Sequence, residues 1–342
     1  MKNTLKFIID KSKSFTAQDW ATFLIGLFLI VSILTTTFLE WYFVSVRAKI
    51  AFDEIRTSIE NSGLTDAAKN LIYPNATRLF WGGSTYWFTF MSNTFMSVIL
   101  VIYPLINKSQ KAQRLYFASI IYIILVASAY WTGVTIVPSI FTHTFLDEKI
   151  KTLLMHAVGP ILGISTLFWE KRRISVSNRT IWTLMVFPVG YLFIMIIPTY
   201  IFGYKFKEFG GTELQRGIII YPMISFDNPF DVNQKGAPEW VKIFLDIMIV
   251  VLAFISAPMV GALVRKMFFI RKPGQNPPER IFFIHPSTRN IIQKLKLEAK
   301  KRKKSFLVPI DAQEEVAQFE QQLKENQNKE EQEPSKQETT EK

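Results

Sequence analysis

The sequence has no cysteine among its 342 residues and only three histidines. The absence of cysteine excludes disulfides, thiolate nucleophiles, covalent haem attachment and cysteine-ligated zinc. The sequence also lacks a glycine-rich phosphate loop, a His-Glu-x-x-His helix, a carboxylate cluster and an internal repeat. We therefore expect neither a metal nor a cofactor.

What the sequence does have is long apolar blocks. Hydrophobic residues make up 49% of it and cluster in runs of about twenty, the length that a helix rising about 1.5 Å per residue needs to cross roughly 30 Å of hydrocarbon. This pattern predicts an all-α polytopic membrane protein with a six-helix transmembrane bundle over residues 20–264. The predicted spans are 20–44, 85–106, 115–140, 153–169, 180–203 and 241–264.

Lysine and arginine predict the orientation of the bundle. The stretches 1–19, 107–114, 170–179 and 265–280 hold 16 basic residues in 53 positions, whereas the alternate loops hold 12 in 89. The denser set belongs in the cytosol, so both termini are expected to be cytoplasmic in a plasma-membrane protein. The first apolar block is too long for a signal peptide core, so we expect the basic segment 1–19 to precede an uncleaved span.

The residues after the sixth predicted span form a tail with two parts. A basic juxtamembrane segment, 265–308, contains the run Lys300, Lys301, Arg302, Lys303 and Lys304, and an acidic, glutamine-rich segment follows at 309–342. Basic clusters beside a membrane favour anionic headgroups, so we expect this run to contact anionic lipid and expect no specific nucleic acid. The acidic end is predicted to be cytosolic and disordered, and its protein partners are unknown.

His156 is the one histidine inside a predicted span. An imidazole is costly in hydrocarbon, so it is a functional candidate. Gly159 and Gly163 lie on its helix face and permit close helix packing. Pro160 removes the amide that would bond the His156 carbonyl, so that carbonyl needs another partner. The alternative is a histidine that only packs against a neighbouring backbone.

A polar stripe marks the second predicted span. Helical spacing places Thr89, Ser92 and Asn93 on one side of it. Such a stripe faces protein or water, and interhelical hydrogen bonding is its simplest explanation. Helical rise puts Thr89 and His156 in the same outer half of the bilayer.

Four other ionisable residues lie near span ends. Lys242 precedes Asp246 by four residues, which favours an interfacial ion pair. Glu40 and Glu170 occupy positions from which a carboxylate can reach the headgroups.

These residues resemble a known family. The sequence is similar to the androgen-induced and androgen-dependent six-span membrane proteins of animals and to their bacterial relatives, over roughly residues 20–264. Four short motifs in a shared order carry the resemblance: Trp-Phe-Thr-x-x-Ser-Asn at 87–93, His156 before Pro160, Phe-Pro-Val-Gly-Tyr at 187–191, and Tyr221-Pro222.

The resemblance implies a fatty acid ester hydrolase. Animal members use an intramembrane threonine nucleophile and an intramembrane histidine, which correspond to Thr89 and His156 here. Imidazole is suited to take the threonine proton near pH 7. Asn93, Ser92 and Tyr221 then become candidates for the oxyanion site or the pocket wall. The tail has no counterpart in the family.

Two alternatives remain at this point. The first is a small-solute or proton-coupled transporter or channel, in which Thr89, Asn93, His156 and Asp246 bind the solute or proton. The second is a non-catalytic membrane scaffold that acts through its cytosolic tail.

Overall fold

The computed structural model describes residues 2–136, 145–211, 213–221, 224–226 and 238–275, and most of these residues are helical. Apart from one parallel β-bridge between Ser175 and Arg271, the regular structure within these residues is helical. The predicted tail beyond residue 275, including Lys300–Lys304, lies outside them.

Six helices in the described part of the chain are long and apolar enough to cross a membrane. This confirms the predicted all-α, multi-pass architecture. The six spans are Ala17–Glu60, Phe88–Ile106, Gln110–Thr135, Leu146–Glu170, Asn178–Phe209 and Glu239–Met267. Short helices flank them at Lys2–Ser12, Asp66–Ile72, Ala76–Trp81 and, with 3₁₀ geometry, Ser84–Tyr86.

Span one is much longer than its apolar block. A capping box between Thr16 and Asp19 starts it, and the helix continues for 44 residues, about 66 Å at helical rise. That is twice the thickness of the hydrocarbon layer. The polar half beyond the predicted end at residue 44 stays helical with help from Lys49–Asp53 and Arg56–Glu60 pairs at i,i+4 spacing.

Spans four and five are each interrupted by a π-helical turn ahead of a proline. In span four the turn Leu154–Val158 precedes Pro160, and in span five the turn Leu192–Ile196 precedes Pro198. Proline cannot donate to the preceding turn, and a π-turn absorbs the resulting break in the hydrogen-bond ladder. In span four, the Met155 and His156 carbonyls of this turn accept hydrogen bonds from side chains on other helices.

Ion pairs tie the helices together at the two ends of the bundle. At the end that holds residue 17, here called the proximal end, Arg173 bonds Asp19 at 2.6 Å. At the opposite, distal end, Arg47 of span one forms a bidentate pair with Asp147 of span four, both bonds 3.2 Å long. These contacts fix the heights of spans one and four against each other.

The main core cluster is centred on spans two and three, and residues of the other four spans pack around them. Tyr103 stacks on Tyr116 with ring centroids 4.5 Å apart, and both side chains are fully buried. Gly26 of span one lies directly on the Leu100 and Val101 backbone of span two. This close packing positions the distal end of span two, where the candidate site lies.

Candidate functional site

Thr89 and His156 line the same cavity at the distal end of the bundle. The cavity has a volume of about 390 Å³, within the range of small-ligand pockets. Span two supplies Thr89 from its first turn, and span four supplies His156 from its π-turn. The rest of the wall is mixed polar and aromatic and includes Glu40, Ser84, Trp87, Phe90, Lys151 and Met155.

Two glycines let spans two and four approach closely. A Cβ on Gly159 would come within 2.6 Å of the Asn93 Oδ1, and a Cβ on Gly163 would overlap the Met96 side chain. Both glycines are buried. The small-residue face next to His156 therefore packs against the polar stripe of span two, which brings the Thr89 and His156 helices together.

The His156 ring is held by residues on spans three and four. Its Nδ1 lies 3.0 Å from the Thr152 carbonyl, and its face stacks on Tyr130 with centroids 3.8 Å apart and planes 19° from parallel. A carbonyl only accepts, so the neutral imidazole carries its proton on Nδ1 and its lone pair on Nε2. This is the tautomer of a general base acting through Nε2.

Asn93 has the contacts of a packing residue. Its Nδ2 donates to the Thr89 carbonyl at 2.9 Å and to the Met155 carbonyl at 3.1 Å. Both amide hydrogens are thus used, and Asn93 is almost fully buried. Ser92 is also fully buried, and its hydroxyl makes no hydrogen bond to the described residues. Neither side chain lines the cavity, so these contacts do not favour the oxyanion role.

Tyr221 lies against the first turn of span two, beside Thr89 and Tyr191. Burial raises the pKa of Tyr221, and the nearby Tyr191 and Thr89 side chains offset only part of that effect. The phenol therefore stays protonated at neutral pH. The ring centroids of Tyr221 and Trp87 are 6.1 Å apart. Tyr221 is therefore a neighbour of Thr89, and the imidazole of His156 is oriented by Thr152 and Tyr130 instead.

A buried cluster that the sequence reasoning missed forms one wall of the cavity. Lys151 pairs with Glu40 and donates to the Ser84 hydroxyl. The same hydroxyl lies 3.0 and 3.1 Å from the two Glu40 oxygens. Sequence placed Glu40 at the headgroups, but the carboxylate turns inward to a lysine more than a hundred residues away. The sequence signal that could have found this pair is that Glu40 and Lys151 lie at the same depth, at the distal ends of spans one and four.

Two further interpretations of ionisable residues were wrong. Glu170 does not reach the headgroups: its side chain is fully buried, and it accepts from Thr22 at 3.3 Å and from Arg173 at 3.3 Å. Lys242 is paired with Glu239 at 3.4 Å instead of Asp246. Helical spacing allows both i,i+3 and i,i+4 partners, and the first-turn glutamate is the one used.

No group of three or more His, Asp and Glu side chains among the described residues is placed to hold a metal. No protein family, curated protein or solved structure matches the chain. What the site can do chemically therefore follows from its own residues: a hydroxyl, an imidazole in a defined tautomer, and a lysine paired with a glutamate, in a cavity at the distal end of the bundle.

Proposed function

We propose that this multi-pass membrane protein hydrolyses fatty acid esters of lipids, with Thr89 as the nucleophile and His156 as the base. The observation that supports the proposal most is that these two side chains, from different spans, line one cavity at the distal end of the bundle. The resemblance to the androgen-induced six-span hydrolases agrees with it. A lipid ester could enter from the bilayer, with its carbonyl at the depth of Thr89.

The reaction proceeds in two stages. His156 Nε2 takes the Thr89 hydroxyl proton as Oγ1 attacks the ester carbonyl carbon, and the tetrahedral intermediate expels the alcohol, which takes that proton from the imidazolium. Water then attacks the acyl-threonine with Nε2 again as base. This releases the fatty acid and restores Thr89.

The developing oxyanion needs hydrogen-bond donors near Thr89. The first amides of a helix have no intrahelical acceptor, and Trp87, the residue that precedes span two, makes no side-chain capping bond. These amides also carry the positive end of the helix dipole. The Phe88 and Thr89 amides lie beside the Tyr221 hydroxyl, so the proposed oxyanion site includes that phenol, whereas the Asn93 amide is engaged by two carbonyls.

Fatty acid release from a panel of lipid esters tests the proposal. We expect wild-type protein in detergent to release fatty acid, and Thr89→Ala and His156→Ala to lose at least roughly a hundredfold, the scale of general-base catalysis. Thr89→Ser should retain activity because it keeps the hydroxyl. Thr94→Ala is the matched control, since Thr94 is on the same helix but lines a different cavity.

The same protein separates the alternatives. A transporter predicts solute flux into proteoliposomes without ester turnover, and a scaffold predicts that tail deletion abolishes function while Thr89→Ala does not. A folded wild-type protein that is inactive on every ester would overturn the hydrolase proposal. Equal activity in Thr89→Ala and wild type would overturn the assignment of the nucleophile.

A further inference from the structure

A second and larger cavity lies on the outside of the bundle, between spans two, three and five. Its volume is about 600 Å³, and it adjoins the cavity of Thr89 and His156 at Phe90, which lines both. The walls are mostly apolar and include Phe90, Phe95, Leu115, Ala118, Tyr122 and Phe187. Leu115 and another lining residue, Val186, are 45% and 64% exposed, so this groove faces the space that lipid hydrocarbon fills.

The proximal end of the groove is strongly basic. Arg114, Thr180 and Thr183 line both the groove and an adjoining pocket of about 330 Å³, whose wall also includes Arg179. Arg114 and Arg179 are exposed. Neither forms an ion pair or a side-chain hydrogen bond with the described residues of the chain, so two positive charges lie unneutralised where the groove ends.

The groove is long enough for one acyl chain. Phe90 is in the first turn of span two at the distal end, and Arg114 is in the first turns of span three at the proximal end. At helical rise the two levels are roughly 20 Å apart. One leaflet contributes about half of the roughly 30 Å hydrocarbon layer, so a chain whose headgroup lies at Arg114 fits within the groove.

We propose that this groove binds one anionic phospholipid, with its phosphate between Arg114 and Arg179 and an acyl chain along Phe95, Ala118 and Phe187. Guanidinium groups match phosphate oxygens with paired hydrogen bonds. An acyl chain would pack against the apolar wall of the groove, which faces the bilayer. The charges of Arg114 and Arg179 would favour an anionic lipid over a zwitterionic one. The site does not depend on the proposed hydrolase activity.

Native mass spectrometry of delipidated protein tests this proposal with phosphatidylglycerol and phosphatidylcholine of identical acyl chains. We expect wild type to bind phosphatidylglycerol more tightly. Loss of two charges at about 1 kcal/mol each predicts roughly thirtyfold weaker phosphatidylglycerol binding in Arg114→Ala/Arg179→Ala. The matched control is Lys108→Ala/Arg172→Ala, which removes two exposed charges from the same end of the bundle but outside the groove; it should bind like wild type.

Two further measurements test the acyl-chain part. Ala118→Phe fills the groove and should weaken binding of both lipids, and soluble glycerol phosphate should fail to displace phosphatidylglycerol at equal concentration. Equal phosphatidylglycerol affinity in the arginine double variant and its control would overturn the proposal. Displacement by glycerol phosphate would overturn it in favour of a phosphate site. If Ala118→Phe fails to fold, the comparison of Arg114→Ala/Arg179→Ala with its control still tests whether the groove binds anionic phospholipid.

Discussion

Trp131 of span three donates its indole Nε1–H to the backbone carbonyl of His156 over 2.9 Å. Pro160 lies four residues after His156 and has no amide to offer that carbonyl, so the indole supplies the donor that the helix lacks. An unsatisfied carbonyl at membrane depth costs free energy. The break made by Pro160 thus connects spans three and four at the level of the imidazole.

Replacing this indole should loosen the site. Trp131→Phe keeps most of the ring but removes the donor, and we expect a loss of about 1 kcal/mol in the free energy of unfolding, seen as a thermal midpoint a few degrees lower in detergent. Trp182→Phe is the control, because Trp182 is 60% exposed on the outside of the bundle. Equal midpoints for the two variants would show that the indole bond contributes nothing.

The glycines of the bundle should differ sharply in their tolerance of alanine. A Cβ on Gly26 would lie 2.7 Å from the Val101 backbone nitrogen, whereas a Cβ on Gly190 meets nothing within 4 Å. Backbone cannot yield as a side chain can, so Gly26→Ala should cost about 1–3 kcal/mol. Gly190→Ala should be neutral or slightly stabilising, because alanine favours the helix. The fraction of each variant that remains folded after graded heating measures both effects. Similar losses of stability in Gly26→Ala and Gly190→Ala would contradict the close packing of spans one and two.

The Lys151–Glu40 pair should show strong coupling in a double-mutant cycle. Lys151→Met leaves the mostly buried Glu40 carboxylate without its cationic partner. We expect the free energy of unfolding to fall by about 1–3 kcal/mol. This is below the range for fully buried pairs because the Glu40 side chain is 22% exposed. Lys151→Met combined with Glu40→Gln should recover part of that loss. Additive losses in the thermal midpoints would mean that the two residues do not interact.

The absence of cysteine makes the orientation directly measurable. Asp66→Cys lies in the distal segment Asp66–Ile72, and Lys108→Cys lies in the proximal turn between spans two and three. With both termini cytosolic, a membrane-impermeant maleimide should label the first in intact cells and the second only after permeabilisation. The reverse pattern would invert the predicted topology.

The number and order of the spans followed from the sequence because apolar length is set by the bilayer alone. Helix ends did not follow. Span one continues to Glu60 and span four begins at Leu146, since polar helical turns at the membrane boundary carry no hydropathy signal. Their i,i+4 pairs and an amphipathic pattern were the only local cues.

The candidate site was predictable only in part. The free-energy cost of an imidazole in hydrocarbon identified His156, and the spacing of polar residues along a helix identified the stripe that contains Thr89. Both signals can be found in the local sequence. Lys151, Tyr130 and Trp131 were missed since their roles depend on which helices are neighbours. Glu170 was misplaced for the same reason: its partner Thr22 lies on span one and reaches it only once spans one and four pack.

Mapping the residue that a fluorophosphonate probe modifies tests the central claim most directly. Four hydroxyl-bearing residues line the cavity, namely Ser84 beside Lys151, Tyr86, Thr89 and Thr152, and peptide mass spectrometry after labelling distinguishes them. We predict an adduct on Thr89 that is lost in His156→Ala and kept in Thr94→Ala. An adduct on Ser84, with ester turnover intact in Thr89→Ala, would contradict the account and assign the chemistry to the serine and lysine.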